Sequence, residues 1–290
     1  MSKLYEKLLN HDYSPDEMAE CMEEARKGPG PAERAPLLRE IFSCLDLTSL
    51  NTQDSDGSIL TFAERAANFS FSFNDIGNVA ALCVYPNFVT VVREGLGTSG
   101  VRVAVVSASF PTAQTFNEVK ILETSMATRM GADEIDVVIP VGTFLEGAYD
   151  RVIDELKAIR CAAGETTLKV ILETGLLKDE RNIYRASIIA MESGADFIKT
   201  STGKSPVSAT PEAAWVMCRA IRDYYSETGI MIGFKPAGGI VTPDDALVYY
   251  FIVKNMLGPK WLTPEYFRIG ASRLANNILS ELYPGKPAYF

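Results

Sequence analysis

Histidine is nearly absent: the 290 residues contain a single one, His11, in the N-terminal segment. A Ser-His-Asp or Cys-His set in the body of the chain is excluded unless His11 folds back onto it. Zinc sites lose most of their usual ligands for the same reason, and metal-dependent aldol chemistry built on a histidine cluster falls with them. Basic surplus is missing too. The formal net charge is −9, which argues against a nucleic-acid binder, although an acidic protein can still hold a local basic pocket for a small anion. No apolar run reaches the ~18 residues of a membrane span. The acidic N-terminus, MSKLYEKLLNHDYSPDEMAECMEEARKG, has neither the apolar core of a signal peptide nor the acid-poor composition of a transit peptide. The five cysteines, Cys21, Cys44, Cys83, Cys161 and Cys218, are dispersed without a CxxC pair. They read as reduced thiols of a cytoplasmic protein. No GxGxxG follows a first strand, so a dinucleotide fold is not supported.

What remains is a chain of ordinary globular composition, 47% hydrophobic and 22% charged. Residues 1 to 40 read as an N-terminal helical extension: two short helices separated by the Pro/Gly-rich stretch Gly28 to Pro36. From about Ser43 the pattern changes. Short β-branched runs lie at 43–50, 79–86, 101–107, 134–140, 168–174, 196–201, 230–236 and 266–272. They are apolar on both faces, as strands buried in a parallel sheet are. Amphipathic stretches alternate with them, for example Leu145, Tyr149, Val152, Ile153, Leu156 and Ile159 at helical spacing. Thr210-Pro211 and Thr242-Pro243 are helix starts, and Gly131 and Gly194 are helix stops. The alternation predicts a (β/α)8 TIM barrel over residues 41–290, ending in a short C-terminal tail, with an open doubly wound sheet as the alternative.

Active sites of such barrels lie at the C-terminal ends of the strands. Charged residues inside these apolar runs need an explanation, and four consecutive runs supply Asp136, Lys169, Lys199 and Lys235. A buried unpaired charge is unfavourable, so each is either paired or functional. One Asp–Lys pair explains two of them but leaves two further lysines on neighbouring strands. If these side chains point inward, mutual repulsion and desolvation leave one lysine partly unprotonated, able to attack a carbonyl and form a Schiff base. The bland reading is one buried salt bridge with snorkelling lysines. Just past Lys199, the run Thr200-Ser201-Thr202-Gly203-Lys204 offers hydroxyls, a glycine and a cation to an oxyanion. It lacks Walker spacing. PAGGI (Pro236 to Ile240) and IGAS (Ile269 to Ser272) follow the seventh and eighth strands, where phosphosugar barrels hold their phosphate. Tight turns are the alternative for either loop alone.

Taken together, LDLTSLN (Leu45 to Asn51), ALCVYPNF (Ala81 to Phe88), GADEIDVVIP (Gly131 to Pro140), LKVILETGLLKDE (Leu168 to Glu180), GADFIKTSTGK (Gly194 to Lys204), ATPEAA (Ala209 to Ala214), GFKPAGGI (Gly233 to Ile240) and FRIGAS (Phe267 to Ser272) resemble the deoxyribose-phosphate aldolase family. The resemblance spans residues 45 to 272 and leaves the extension unmatched. It implies a (β/α)8 barrel and a reaction without metal or cofactor. It assigns the Schiff base to Lys199, the neighbouring lysine that depresses its pKa to Lys235, and acid/base work through a water to Asp136. Lys169, Asp46 and Cys83 fall on pocket-lining positions. Gly203, Lys204, Gly238, Gly239, Gly270 and Ser272 fall on phosphate-binding positions. The implied substrate is a small phosphosugar, 2-deoxyribose 5-phosphate, cleaved reversibly to acetaldehyde and glyceraldehyde 3-phosphate. The same analogy points to a homodimer.

Two departures stand out. Val241 follows GGI where arginine is common in the family, and Arg273 follows GAS where a small residue is common. Either Arg273 replaces the missing charge, or phosphate binding is weaker, or the anion differs. Tyr289 lies next to Phe290, whereas some family members end in a tyrosine that reaches the site; an inert tail is the alternative. Two rival readings stay open: a Schiff-base aldolase with another substrate, and an aldolase scaffold whose extension docks a partner.

Overall fold

The protein is described here by a computed structural model covering residues 3–8 and 15–290; His11 lies outside them. Eight short strands form, in chain order, β1 (Leu45–Thr48), β2 (Ala81–Val84), β3 (Arg102–Val106), β4 (Glu134–Val138), β5 (Thr167–Ile171), β6 (Phe197–Lys199), β7 (Gly233–Lys235) and β8 (Ile269–Ala271). All pair in parallel in the order β7-β6-β5-β4-β3-β2-β1-β8. The two edges then meet. The Arg268 N–H donates to Phe234 O at 3.1 Å, and the Gly270 N–H to Pro236 O at 2.9 Å. The sheet therefore closes into a barrel rather than an open doubly wound sheet, β7 and β8 meeting through bridges at Phe234–Phe267 and Ala237–Gly270.

Helices cover the outer face, which explains why the strands are apolar on both sides. β4 is buried along its whole length, with Ile135 and Val137 packed outward into the helical layer. The expected capping signals operate: the Thr210 hydroxyl accepts from the Ala213 N–H, and Thr242 forms a capping box with Asp245. Gly131 and Gly194 follow the helix ends at positive φ. One apolar stripe proves to be two elements. Gly147 sits at φ +79°, so Leu145 closes a short helix, Val141–Leu145, before the longer Tyr149–Ala163 begins.

The N-terminal segment holds helices Lys3–Leu8, Pro15–Lys27 and Pro31–Ser43. The break expected across Gly28 to Pro36 is narrower than that, because Pro36 lies inside the third helix. Its missing N–H removes one backbone bond, but burial of Leu38, Ile41 and Phe42 carries the helix through. That helix packs on Pro243–Leu257 and Arg273–Leu282 and so forms part of the barrel wall. The second helix also lies against Pro243–Leu257, with Met22 and Ala25 buried and Glu17 paired to Arg219 at 3.1 Å. At the other end, the Tyr289 hydroxyl donates to Arg65 O at 2.9 Å, and its ring packs edge-on against Phe69 and Phe73. Tyr289 is therefore held on the outer wall, away from the barrel axis. Phe290 borders a groove shared with Arg273 and Asn276.

Candidate active site

Alternation along the strands decides what enters the barrel. Residues two apart share a face, so Glu134 and Asp136 of β4 both point inward. Register then sets neighbours. Asp136 lies beside Lys169, Ile171 beside Lys199, and Lys199 beside Lys235. The four charged residues singled out from the apolar runs thus converge. Asp136 is their meeting point: Lys199 Nζ lies 2.7 Å and Lys235 Nζ 2.8 Å from its Oδ2, and Lys169 Nζ lies 3.0 Å from its Oδ1.

Beneath this layer lies a second. Lys169 Nζ is 3.3 Å from Asp46 and 2.5 Å from Glu134, while Lys235 also donates to Asp46. Arg268, from the segment leading into β8, donates to Asp46 Oδ1 at 2.6 Å and forks onto Glu134 at 3.0 and 2.7 Å. All of these side chains are at 0% exposure except Lys199, at 4%. Glu134 and Arg268 were not singled out in the sequence. A signal was there: Glu134 is two residues before Asp136 on one strand face, and Arg268 two before Gly270.

The number of carboxylate partners separates the three amines. Lys169 touches three, Lys235 two and Lys199 only Asp136. Burial opposes charge on all of them. For Lys199 burial prevails, and with repulsion from Lys235 it outweighs Asp136 and pulls the amine below its ordinary value. For Lys169 and Lys235 burial is overcome by Asp136 and Asp46, with Glu134 adding to Lys169, and both are held above the ordinary lysine value. Asp136 is pushed well below the usual carboxylate range, because Lys169, Lys199 and Lys235 overcome its burial. Lys199 is thus the amine readiest to lose its proton, and it is also the one nearest the mouth.

Above Lys199 opens a cavity of about 330 Å³, lined by Thr48, Lys204, Gly238, Gly239, Ser272 and Arg273 among others. Gly270 belongs at its base. A Cβ there would come within 2.8 Å of Ala237 Cβ and 3.2 Å of Lys235 Cε. Gly238 adopts φ +83° and passes so close to Ser208 that no side chain fits. Lys204 Nζ donates to Leu50 O at 2.7 Å. The Thr202 hydroxyl donates to Glu173, a buried carboxylate that also accepts from the Thr202 N–H, so Thr202 orders the loop. At position 241 the Val241 N–H turns away to Asp245. Arg273 and Ser272 are exposed at the mouth, at the first turn of helix Arg273–Leu282. Cys83 is buried on β2, its thiol raised by burial, next to Ala81, Ala104 and Val106, with Tyr85, Leu50 and Phe110 over them.

A buried amine with one carboxylate partner, under a glycine-lined cavity, is matched by kinship. A family model described as DeoC/LacD family aldolase matches residues 44–256. The chain belongs to that family. Curated relatives agree. It is 42% identical over 270 residues to the deoxyribose-phosphate aldolase of Homo sapiens, covering 90% of this chain and 85% of that one. It is 39% identical over 280 residues to a putative deoxyribose-phosphate aldolase of Caenorhabditis elegans, covering 96% and 92%. The fold is shared with a solved structure of a putative deoxyribose-phosphate aldolase from Toxoplasma gondii ME49, with TM-score 0.77 and 23% identity over 88% of this chain and all of that one. The aldolase family membership and the TIM barrel read from the motifs are both met. The aldolase barrel gathers Lys199, Lys235, Asp136, Lys169 and Asp46 in one ion cluster, with Cys83 beside it. Gly203, Lys204, Gly238, Gly239, Gly270, Ser272 and Arg273 border the cavity above.

Proposed function

We propose that the chain cleaves 2-deoxy-D-ribose 5-phosphate reversibly to acetaldehyde and D-glyceraldehyde 3-phosphate through a Schiff base on Lys199. The observation that carries this reading is the buried Lys199 amine, with one carboxylate partner, at the base of a glycine-lined cavity. The phosphate sits among Lys204, Gly238, Gly239, Ser272 and Arg273, with Arg273 supplying at the eighth loop the charge that Val241 does not. Neutral Lys199 attacks C1 and loses water to give an iminium. Asp136, through a water, takes the C3 hydroxyl proton. The C2–C3 bond breaks, its electrons pass to the iminium, and glyceraldehyde 3-phosphate leaves. The enamine is protonated at C2, and hydrolysis frees acetaldehyde and the amine. Lys235 stays charged and helps keep Lys199 unprotonated; Lys169 fixes the orientation of Asp136.

Borohydride trapping tests the assignment. With substrate present, one adduct is expected on Lys199, and Lys199→Ala should lose the adduct and at least ~10³-fold in kcat/KM. An adduct on another lysine would overturn it. Comparable turnover of deoxyribose with and without its 5-phosphate would favour an aldolase of another substrate.

We infer a cytoplasmic homodimer. Cys44, Cys83 and Cys218 are free and buried, as suits a reducing compartment. Helix Asn117–Arg129 leaves Val119, Leu122 and Met126 exposed, bordering a groove with Pro86 and Met130. Glu118 and Arg129 stand at its opposite ends, so two copies packed antiparallel about a two-fold axis would pair them. Light scattering should give a dimer for the native chain and a monomer for Leu122→Asp; equal masses would remove this face from consideration.

A further inference from the structure

The barrel interior carries an unbalanced set of charges. Lys169, Lys199, Lys235 and Arg268 are buried cations, and Asp46, Glu134 and Asp136 are the buried carboxylates that meet them. Four positive groups thus share three negative ones. A surplus charge in a dry interior is strongly unfavourable, and the simplest relief is for one cation to give up its proton. Arg268 cannot, because a guanidinium stays protonated. Lys169 and Lys235 each have two or more carboxylates. The surplus therefore falls on Lys199.

The ions also form one continuous chain from floor to mouth. Arg268 grips Glu134 at 2.7 Å and Asp46 at 2.6 Å; Glu134 meets Lys169 at 2.5 Å; Lys169 meets Asp136 at 3.0 Å; and Asp136 meets Lys199 at 2.7 Å. We propose that Glu134 and Arg268, at the floor of the barrel, are positioning residues that set the charge balance of the column ending in Lys199. Neither touches the cavity where substrate binds. They act through Lys169, Asp46 and Asp136. The inference rests on Lys199 being the nucleophile and adds that its reactivity is set from the opposite end of the barrel.

The groups facing the column from each element are few. β1 supplies Asp46, β2 Cys83, β4 Glu134 and Asp136, β5 Lys169, β6 Lys199, β7 Lys235, and the entry to β8 Arg268. β3 adds Arg102, 3.2 Å from Glu134 but 42% exposed, so water screens most of its charge. At the rim, Glu173 is taken by Thr202 and forms no ion pair with any of the four cations. Lys204 bonds Leu50 O.

Opposite charge changes at the floor should therefore move Lys199 in opposite directions. Arg268→Met leaves three cations on three carboxylates, so Lys199 should hold its proton to higher pH. Glu134→Gln leaves four on two, so it should lose its proton at lower pH. The double variant has three on two, the native surplus of one. The readout is the acid limb of kcat/KM, measured beside the pH dependence of borohydride trapping on Lys199. Arg268→Met should shift both upward and Glu134→Gln both downward, each by on the order of one pH unit. The double variant should return close to the wild-type limb. A packing role would lower rate or yield without shifting the limbs apart. Should a single variant fold poorly, Arg268→Lys and Glu134→Asp keep the charge and should keep the limb. Limbs that coincide with wild type, or move the same way, overturn the proposal. Loss of Lys199 trapping in the wild type would instead overturn the nucleophile assignment.

Discussion

Asp46, Glu134 and Asp136 show how far a buried carboxylate can be bent to a task. Each is held below its ordinary value, 3.8 for Asp and 4.5 for Glu, because neighbouring lysines and Arg268 overcome the burial that would raise it. The unfolded chain binds more protons than the folded one in that range. The stability these groups contribute is complete above about pH 4.5 and drains away as pH falls below it. Lys199 works the other way: its lowered amine favours the unfolded chain below its ordinary value of 10.5. Thermal melts from pH 6 to pH 3 should show Tm falling steeply below about pH 4.5, and falling less in Asp46→Asn. A flat profile would mean that these carboxylates bind protons alike in the folded and unfolded chain, and so are not depressed. At this scale the sequence was informative where a charge interrupted an apolar run, as with Lys199 and Asp136. For Glu134 and Arg268 the signal was only their spacing from Asp136 and Gly270, because their pairing exists only once the strands close and Arg268 reaches across to β4.

At the scale of the element, short strands place ions by register, and glycine sets how near two strands come. Gly270 has no room for a methyl: it would press on Ala237 and on Lys235 Cε. Gly270→Ala should displace Lys235 from Asp136 and Asp46 and lower kcat by ~10-fold or more, with a smaller effect on folding yield. A variant of unchanged kcat would show that the contact yields freely. Strands, caps and glycine stops were readable because buried parallel strands and Thr-Pro starts leave local signatures. Two boundaries were not. Pro36 reads as a breaker, yet tertiary burial of Ile41 and Phe42 carries its helix past residue 40. Leu145 continues a helical spacing that the backbone at Gly147 interrupts. At both places local preference points one way, and packing or one φ angle decides otherwise. For Tyr289 the sequence left two roles open, a visit to the site or an inert tail; its hydroxyl donates to Arg65 O on the outer wall.

At the scale of the molecule, the barrel separates two kinds of charge. Those of the column are enclosed; Lys204 and Arg273 sit at the rim, where Arg273 is exposed. Counter-ions reach the second kind only. Raising ionic strength from low salt to about 0.5 M shortens the screening distance to a few ångströms, so KM for the phosphorylated substrate should climb a few-fold while kcat and its acid limb stay in place. A shift of both together would place the reactive amine within reach of the electrolyte. On the proposed assignment of Lys199, Lys204 and Arg273, the aldolase keeps its chemistry insulated from the ionic medium and leaves capture of the substrate exposed to it. Its turnover is set by a private electrostatic climate, and its appetite for substrate by the weather outside.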